Sequence, residues 1–327
     1  MSEITRRTLL AAMGGLAATS PFGPAFAQGE FPNRPIRLIN PWTPGGPADT
    51  VGRPVAQKAS ESLGQPVVME NRPGANGTIG ATFVARAAPD GYTLFFSHVG
   101  PIAISPNFAS GLQFDPIRDF TPITQLVSGP IVLVVRPDVP ARSVPELLEL
   151  AKRQPGQLSY GSVGPASTTH LAGEMLALMG KVQLLHVPYQ GAAPVITDLL
   201  GGRIHFAFIN FSAAIAQAQA GKLHVIAVST PRRSVKLPDV PTVAETLPGF
   251  EVNSWYGIMG PGGLPRPIVD KLHQAFAAAI RSPEISSALE AQGFGIEATT
   301  PDQYAQKIRD DLRRWGELQR ATNIRIG

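Results

Sequence analysis

What most constrains this chain is a repeated switch between two hydrophobic periods. Short β-branched or aromatic runs at residues 36–40, 67–70, 92–97, 131–136, 158–161, 184–187, 204–209 and 223–229 read as strands. Stretches with helical spacing fall among them, at 48–63, 78–87, 144–153, 168–179, 192–200 and 213–220. Alternation sustained this long predicts an α/β fold with parallel-rich sheets covered by helices on both faces. Beyond residue 265 the pattern is helical, at 265–291 and 301–321. Ser143-Val144-Pro145-Glu146 and Thr300-Pro301-Asp302-Gln303 each fit a capped helix start with Pro in the first turn. The 327 residues suffice for two domains with a core each. Segments 120–129 and 229–255, the latter holding Pro231, Pro238, Pro241 and Pro248, read as crossings between them.

Several function classes drop out at once. The chain has no cysteine, which removes disulfides, thiolate metal sites, Cys nucleophiles and a lipoprotein anchor. The net charge of +4 is scattered, with no basic block interleaved with aromatics, so nucleic acid is not an expected partner. Hydrophobic residues at 43% against 16% charged argue for a folded globular chain rather than a disordered one. The first 27 residues read as an export signal. Arg6-Arg7 precedes an apolar run over 8–18, and Ala25-Phe26-Ala27 forms an A-x-A cleavage site. The paired arginines fit the twin-arginine route. The apolar run is too short and Gly-rich for a membrane span. A mature protein beginning near Gln28, free in the periplasm and monomeric, is the expectation.

Two turns carry the chemistry. Pro44-Gly45-Gly46-Pro47-Ala48-Asp49 follows the first strand and opens a helix. Adjacent glycines and a helix N-terminus can aim backbone N–H groups at an anion. No Gly-Lys-Ser/Thr closes the motif, so it is not a P-loop. A tight strand–helix turn, with Asp49 bracing the loop, is the alternative. The second turn is Tyr160-Gly161-Ser162-Val163-Gly164-Pro165-Ala166-Ser167-Thr168-Thr169-His170. It gathers four hydroxyls with glycines where one N-cap would suffice. It is not G-x-S-x-G, which argues against a nucleophile elbow. A hydrolase using Ser162 or Ser167 with His170 is disfavoured, because Ser and His so close on one helix start seldom face each other. His170 and Glu174, four apart, read as a helix pair rather than a metal site. Ser97, His98, Tyr189, Gln190 and Asn210 stand just past strand ends, where open α/β sheets bind ligands. Gly74, Gly77 and Gly80 read as a sharp loop entering a closely packed helix. Trp255-Tyr256 reads as packing at the second crossing, with flanking the cleft as the alternative.

Further strings identify a resemblance. They are Pro35-Ile36-Arg37-Leu38-Ile39, the 44–49 loop, Glu70-Asn71-Arg72-Pro73-Gly74-Ala75-Asn76-Gly77 and Pro89-Asp90-Gly91-Tyr92-Thr93-Leu94. His186-Val187-Pro188-Tyr189-Gln190-Gly191-Ala192-Ala193-Pro194 and Leu237-Pro238-Asp239-Val240-Pro241-Thr242-Val243-Ala244-Glu245 complete the set. Nearly all of the chain after the leader resembles the TctC/Bug family, the extracytoplasmic solute receptors of tripartite tricarboxylate transporters. The resemblance implies a cofactor-free, non-enzymatic periplasmic binding protein of type II topology. Residues 28–125 with 231–327 would form one domain and 126–230 the other, joined by two crossovers. It implies a carboxylate held in the cleft by two loops, through backbone N–H groups, hydroxyls and water. The membrane components of such a transporter would be its partners. The loops map to Trp42, Thr43, Gly45, Gly46, Ala48 and Asp49, and to Ser162, Val163, Gly164, Ser167, Thr168, Thr169 and His170. His98, Gln190 and Asn210 join them from strand ends. Trp42 and Asn40 depart from the family's usual residues. A sensor that presents the bound ligand to a membrane signalling protein would use the same site.

Overall fold

The structure is a computed structural model that describes residues 31–234 and 237–322; the export signal expected in the first 27 residues lies outside them. From Pro32 onward the chain forms one compact unit. Its strands are β1 (Ile36–Asn40), β2 (Val67–Asn71), β3 (Thr93–His98), β4 (Phe120–Val135), β5 (Ser159–Ser162), β6 (Leu185–Pro188), β7 (Phe206–Asn210), β8 (His224–Val228), β9 (Asn253–Pro261) and β10 (Gly295–Ile296). Its α-helices are α1 (Pro47–Leu63), α2 (Thr78–Ala85), α3 (Ser105–Phe108), α4 (Val144–Arg153), α5 (Thr168–Gly180), α6 (Ala192–Leu200), α7 (Phe211–Gln219), α8 (Arg266–Arg281), α9 (Pro283–Ala291) and α10 (Pro301–Thr322). No helix among the described residues is long and apolar enough to cross a membrane.

The strands run β2-β1-β3-β9-β4-β7-β5-β6, with β8 and β10 also paired to β4. The order β2-β1-β3 is parallel, as is β7-β5-β6. The strands between these two parallel groups, β9 and β4, pair antiparallel with their neighbours, so the sheet is mixed. Parallel strands need covered faces, and the sequence supplies them: Ile131 through Val135 are all fully buried, a continuous apolar run rather than an alternating one.

Two features differ from the sequence reading. The crossing at 120–129 and the strand at 131–136 are one 16-residue strand, β4. Its register against β9 shifts at Pro122/Thr124 and again at Gln125/Val127. Residues 120–130 pair with β9 and so join β1–β3, and residues 131–135 pair with β7 and β8 and so join β5–β6. The end of the Pro-rich 229–255 segment enters β9, a central strand. Gly257 hides it from pattern reading, yet the position demands glycine. A Cβ there would sit 2.5 Å from the Tyr304 hydroxyl and 2.8 Å from the Thr124 carbonyl oxygen.

Helix starts follow the local chemistry. Thr300 and Gln303 form a reciprocal capping box ahead of α10, at 3.2 and 2.9 Å. Before α4, Ser143 accepts from the Glu146 N–H, but the Glu146 carboxylate takes the Arg142 N–H instead of that of Ser143. Gly80 lets α2 lie against β1's exit, where a Cβ would come within 3.2 Å of Pro41.

Candidate functional site

The first loop runs from the end of β1 into α1. Asn40 is fully buried, and its amide acts in two directions: Oδ1 accepts from the Trp42 N–H at 3.2 Å and Nδ2 donates to Asp49 Oδ1 at 3.0 Å. The other Asp49 oxygen accepts from the Gly45 N–H at 2.6 Å. Arg53, one turn further along α1, lies 3.2 Å from Asp49 Oδ1. Asn71 donates to the Trp42 carbonyl at 2.9 Å. Asp49 therefore braces the loop, with its charge offset by Arg53 and its oxygens occupied. Gly45, at φ +85, makes the turn that brings its N–H to Asp49. Pro47 has no N–H and the Asp49 N–H already bonds the Gly46 carbonyl, which leaves the Ala48 N–H as the open first-turn donor of α1.

The second loop joins β5 to α5 and spends most of its hydroxyls on itself. Ser162 Oγ accepts from the Gly164 N–H at 3.1 Å and hydrogen-bonds His186 Nε2 at 2.7 Å. Ser167 donates to the Gly164 carbonyl at 2.6 Å and, as N-cap, accepts from the His170 N–H at 3.2 Å. Thr169 Oγ1 accepts from the Val163 N–H at 3.0 Å. Thr168 and Thr169 occupy the first turn of α5, where a helix leaves N–H groups without acceptors of its own. Behind the loop, His170 and His186 stack with ring centroids 3.9 Å apart. Burial lowers the His186 pKa to about 4. Glu174 is held below the usual carboxylate range by His170 and Tyr160. The hydroxyl of Tyr160 donates to Glu174 at 2.6 Å.

The two loops meet around one cavity of ≈ 50 Å³. Trp42, Thr43, Gly46, Pro47 and Ala48 line it from the first loop, and Val163, Thr168 and Thr169 from the second. Gly191 and Ala192 from the β6–α6 turn, Asn210 at the end of β7, His98 at the end of β3 and Tyr256 of β9 complete the wall. Gly191, at φ +119, lies against Thr43, whose hydroxyl oxygen a Cβ would meet at 3.2 Å. Asn76 reaches across from the first loop's side to donate to the Ala166 carbonyl at 2.7 Å. Among the described residues, no Arg, Lys, Asp or Glu lines the cavity.

Two of the polar groups on the residues that line the cavity lack partners. Trp42 Nε1 and Asn210 Nδ2 are both buried donors without an acceptor among the described residues. Leaving such groups unpaired costs about 1–3 kcal/mol each, a cost that an acceptor bound here would offset. His98 is neutral, its pKa brought down to about 3 by burial. Its Nδ1 accepts from the Gly100 N–H at 3.1 Å, so Nε2 carries the proton and donates to Ser254 Oγ at 2.8 Å. Tyr256 lies 4.8 Å from the His98 ring, and burial raises its phenol pKa.

The residues singled out from sequence fall into three groups. Trp42, Thr43, Gly46, Ala48, His98, Val163, Thr168, Thr169 and Asn210 line the cavity. Gly164 and Gln190 line a second chamber of ≈ 220 Å³ that shares Trp42, Thr43, Val163 and Gly191 with the first. Gly45, Asp49, Ser162, Ser167 and His170 line neither, and hold the loops in shape instead. Ser97 is spent on a 2.7 Å hydrogen bond to Tyr304. Of the aromatic pair at the second crossing, Tyr256 takes the alternative role and lines the cavity. The cue was its place on a strand that ends beside His98, visible only once β9 is paired with β3. Trp255 does pack, its indole donating to Asp311 at 2.8 Å. No group of three or more potential metal ligands occurs among the described residues.

Comparison with known proteins agrees with this architecture. Residues 51–324 match the model of the tripartite tricarboxylate transporter family receptor, TctC. Protein BugT of Bordetella pertussis is 33% identical over 320 residues, which cover 97% of this chain and 98% of that protein. The solved structure of Rhodopseudomonas palustris MatC with bound malate superposes with a TM-score of 0.83 at 32% identity, covering 88% of this chain and 99% of the other. R. palustris Rpa4515 with adipate gives 0.86 at 33%, with coverages of 90% and 99%. These likenesses carry a two-domain α/β periplasmic binding-protein fold with a mixed sheet. With the motifs, the topology and the family model in agreement over nearly the whole described chain, this protein belongs to the TctC/Bug family of solute receptors.

Proposed function

We propose that this chain is a periplasmic solute-binding protein that holds the carboxylate group of a small organic acid between its two loops. The reading has type II topology, with 28–125 plus 231–327 and 126–230 as the lobes and a ligand closing them together. It also has export through the twin-arginine signal and delivery to the membrane components of a tripartite tricarboxylate-type transporter, without catalysis. The observation that carries it is the pair of buried, partnerless donors, Trp42 Nε1 and Asn210 Nδ2, on two residues of a cavity wall that holds no charged side chain among the described residues. Helix N-termini at Ala48 and Thr168–Thr169 add partial positive charge on the same cavity. An anion is the ligand that satisfies donors only. The bound malate and adipate of two relatives support a carboxylate as that anion.

A hydrolase reading fits less well. Ser162 pairs with His186 rather than His170, and its hydroxyl is wholly buried within the loop, away from the cavity lining. The test is Asn210→Asp, which keeps the shape and replaces a donor with a negative charge. Carboxylate affinity measured by calorimetry should fall by at least ~100-fold. Unchanged affinity would remove Asn210, and with it the cavity, from the binding site.

A further inference from the structure

The carboxylate reading leaves the rest of the ligand open, and the second chamber speaks to it. That chamber adjoins the head-group cavity through four shared residues, Trp42, Thr43, Val163 and Gly191. Its volume of ≈ 220 Å³ is about four times that of the ≈ 50 Å³ cavity. A dry cavity of about 150 Å³ already accepts benzene. A ligand whose carboxylate fills the first cavity therefore has ring-sized room for its tail in the second.

The chamber's chemistry is one-sided. Not one Arg, Lys, His, Asp or Glu lines it. Pro41, Pro73, Pro165, Val163, Trp42 and Tyr189 give its wall apolar surface, and Thr43, Asn76 and Gln190 add uncharged polar groups. The Tyr189 hydroxyl is turned to Asp198, to which it donates at 2.8 Å, so the ring rather than the phenol serves the chamber. The Asn76 Nδ2 donates to the Ala166 carbonyl, and its Oδ1 is buried without a partner among the described residues. Charges near the chamber in sequence are engaged elsewhere. Arg53 holds Asp49 and Asn71, Arg72 lies 3.9 Å from the Phe83 ring centroid, and Arg203 pairs with Asp198 at 2.7 Å. A second carboxylate would find no cation here and an ammonium group no carboxylate, and desolvating either without a partner is unfavourable. A flat apolar ring finds proline and aromatic faces.

We infer that the ligand is a monocarboxylate with an uncharged, apolar ring as its tail, of the benzoate class, seated with its head between the loops and its ring in the proline-walled chamber. This rests on the carboxylate reading above and adds the tail. The test is calorimetric titration of the purified protein with benzoate, succinate, L-aspartate and benzamide. Benzoate should bind at least ~10-fold more tightly than the other three. Succinate or aspartate binding as tightly as benzoate, or binding when benzoate does not, overturns the tail inference and leaves the carboxylate head intact. Benzamide matching benzoate overturns the carboxylate head, and the inference falls with it. No binding by benzoate at all also overturns the inference.

Discussion

His98 shows how this site would recognise an anion without a cation. Its Nδ1 is occupied by the Gly100 N–H and its pKa is held at about 3, so it faces the cavity as a neutral ring across the physiological range. Affinity for a carboxylate should accordingly be flat between about pH 6 and 8, since no lining group titrates there. Calorimetry across that interval checks this. Affinity that climbs steeply as the pH falls through about 6.5 would mean that an imidazolium binds the ligand. Asp49 is the complementary case. A carboxylate beside an anion site is tolerable because Gly45, Asn40 and Arg53 already use its oxygens. Replacing it with Ala should loosen the first loop and weaken binding, although Asp49 does not line the cavity. Its role was legible in sequence as a physical requirement, since an unoccupied carboxylate would repel the ligand. The partners that meet the requirement were not, because Asn71 and Arg53 reach Asp49 from a neighbouring strand and the next helical turn.

At the scale of the element, the site is made by two helix starts and the turns that precede them. Gly46 gives the sharpest separation of binding from folding. Its φ of −91° suits any residue, and a Cβ would meet only the Thr43 carbonyl oxygen, at 3.9 Å. Gly46→Val should therefore keep the melting temperature within a few degrees. It should nonetheless weaken ligand binding at least ~10-fold, by adding a branched side chain beside a ≈ 50 Å³ cavity. Thermal melting and calorimetry on the same sample decide it. The Asn76–Ala166 hydrogen bond ties the two sides together. Asn76→Ala should lower affinity modestly, by about 1 kcal/mol, through loss of that closing contact. The elements themselves were largely legible. Strand runs and capped helices appear near their expected positions because local spacing and N-cap chemistry are written in adjacent residues. The surplus hydroxyls of the second loop were misleading in number. Ser162 and Ser167 serve the loop's own backbone, which only the folded turn reveals.

For the whole molecule, β4 and β9 are the frame. Each half of the sheet is built on a different stretch of β4, so the two loops face one another across the line where its pairing changes. Sequence reading split β4 at Gly129-Pro130 and passed over β9, because an irregularly paired strand and a glycine-bearing one lack the local signature of strands. Their pairing is a long-range fact, and it leaves no room for a side chain at Gly257. Burial of neutral His98 and His186 sets the acid limb of stability. Both folded pKa values, about 3 and about 4, lie below the unfolded value of 6.5, so the unfolded chain takes up protons first as the pH falls. Stability present above about pH 6.5 should be lost progressively below it, at up to ~1.4 kcal/mol per pH unit for each histidine. Chemical denaturation at pH 7, 6 and 5 should show the decline, with a shallower slope in His186→Asn. The most direct measurement of the central claim is a structure of this protein with its organic acid bound. The account predicts carboxylate oxygens within hydrogen-bond reach of Trp42 Nε1 and Asn210 Nδ2, between the first turns of α1 and α5. A head group held by an Arg or Lys, or seated on a face that these two loops do not share, would contradict it.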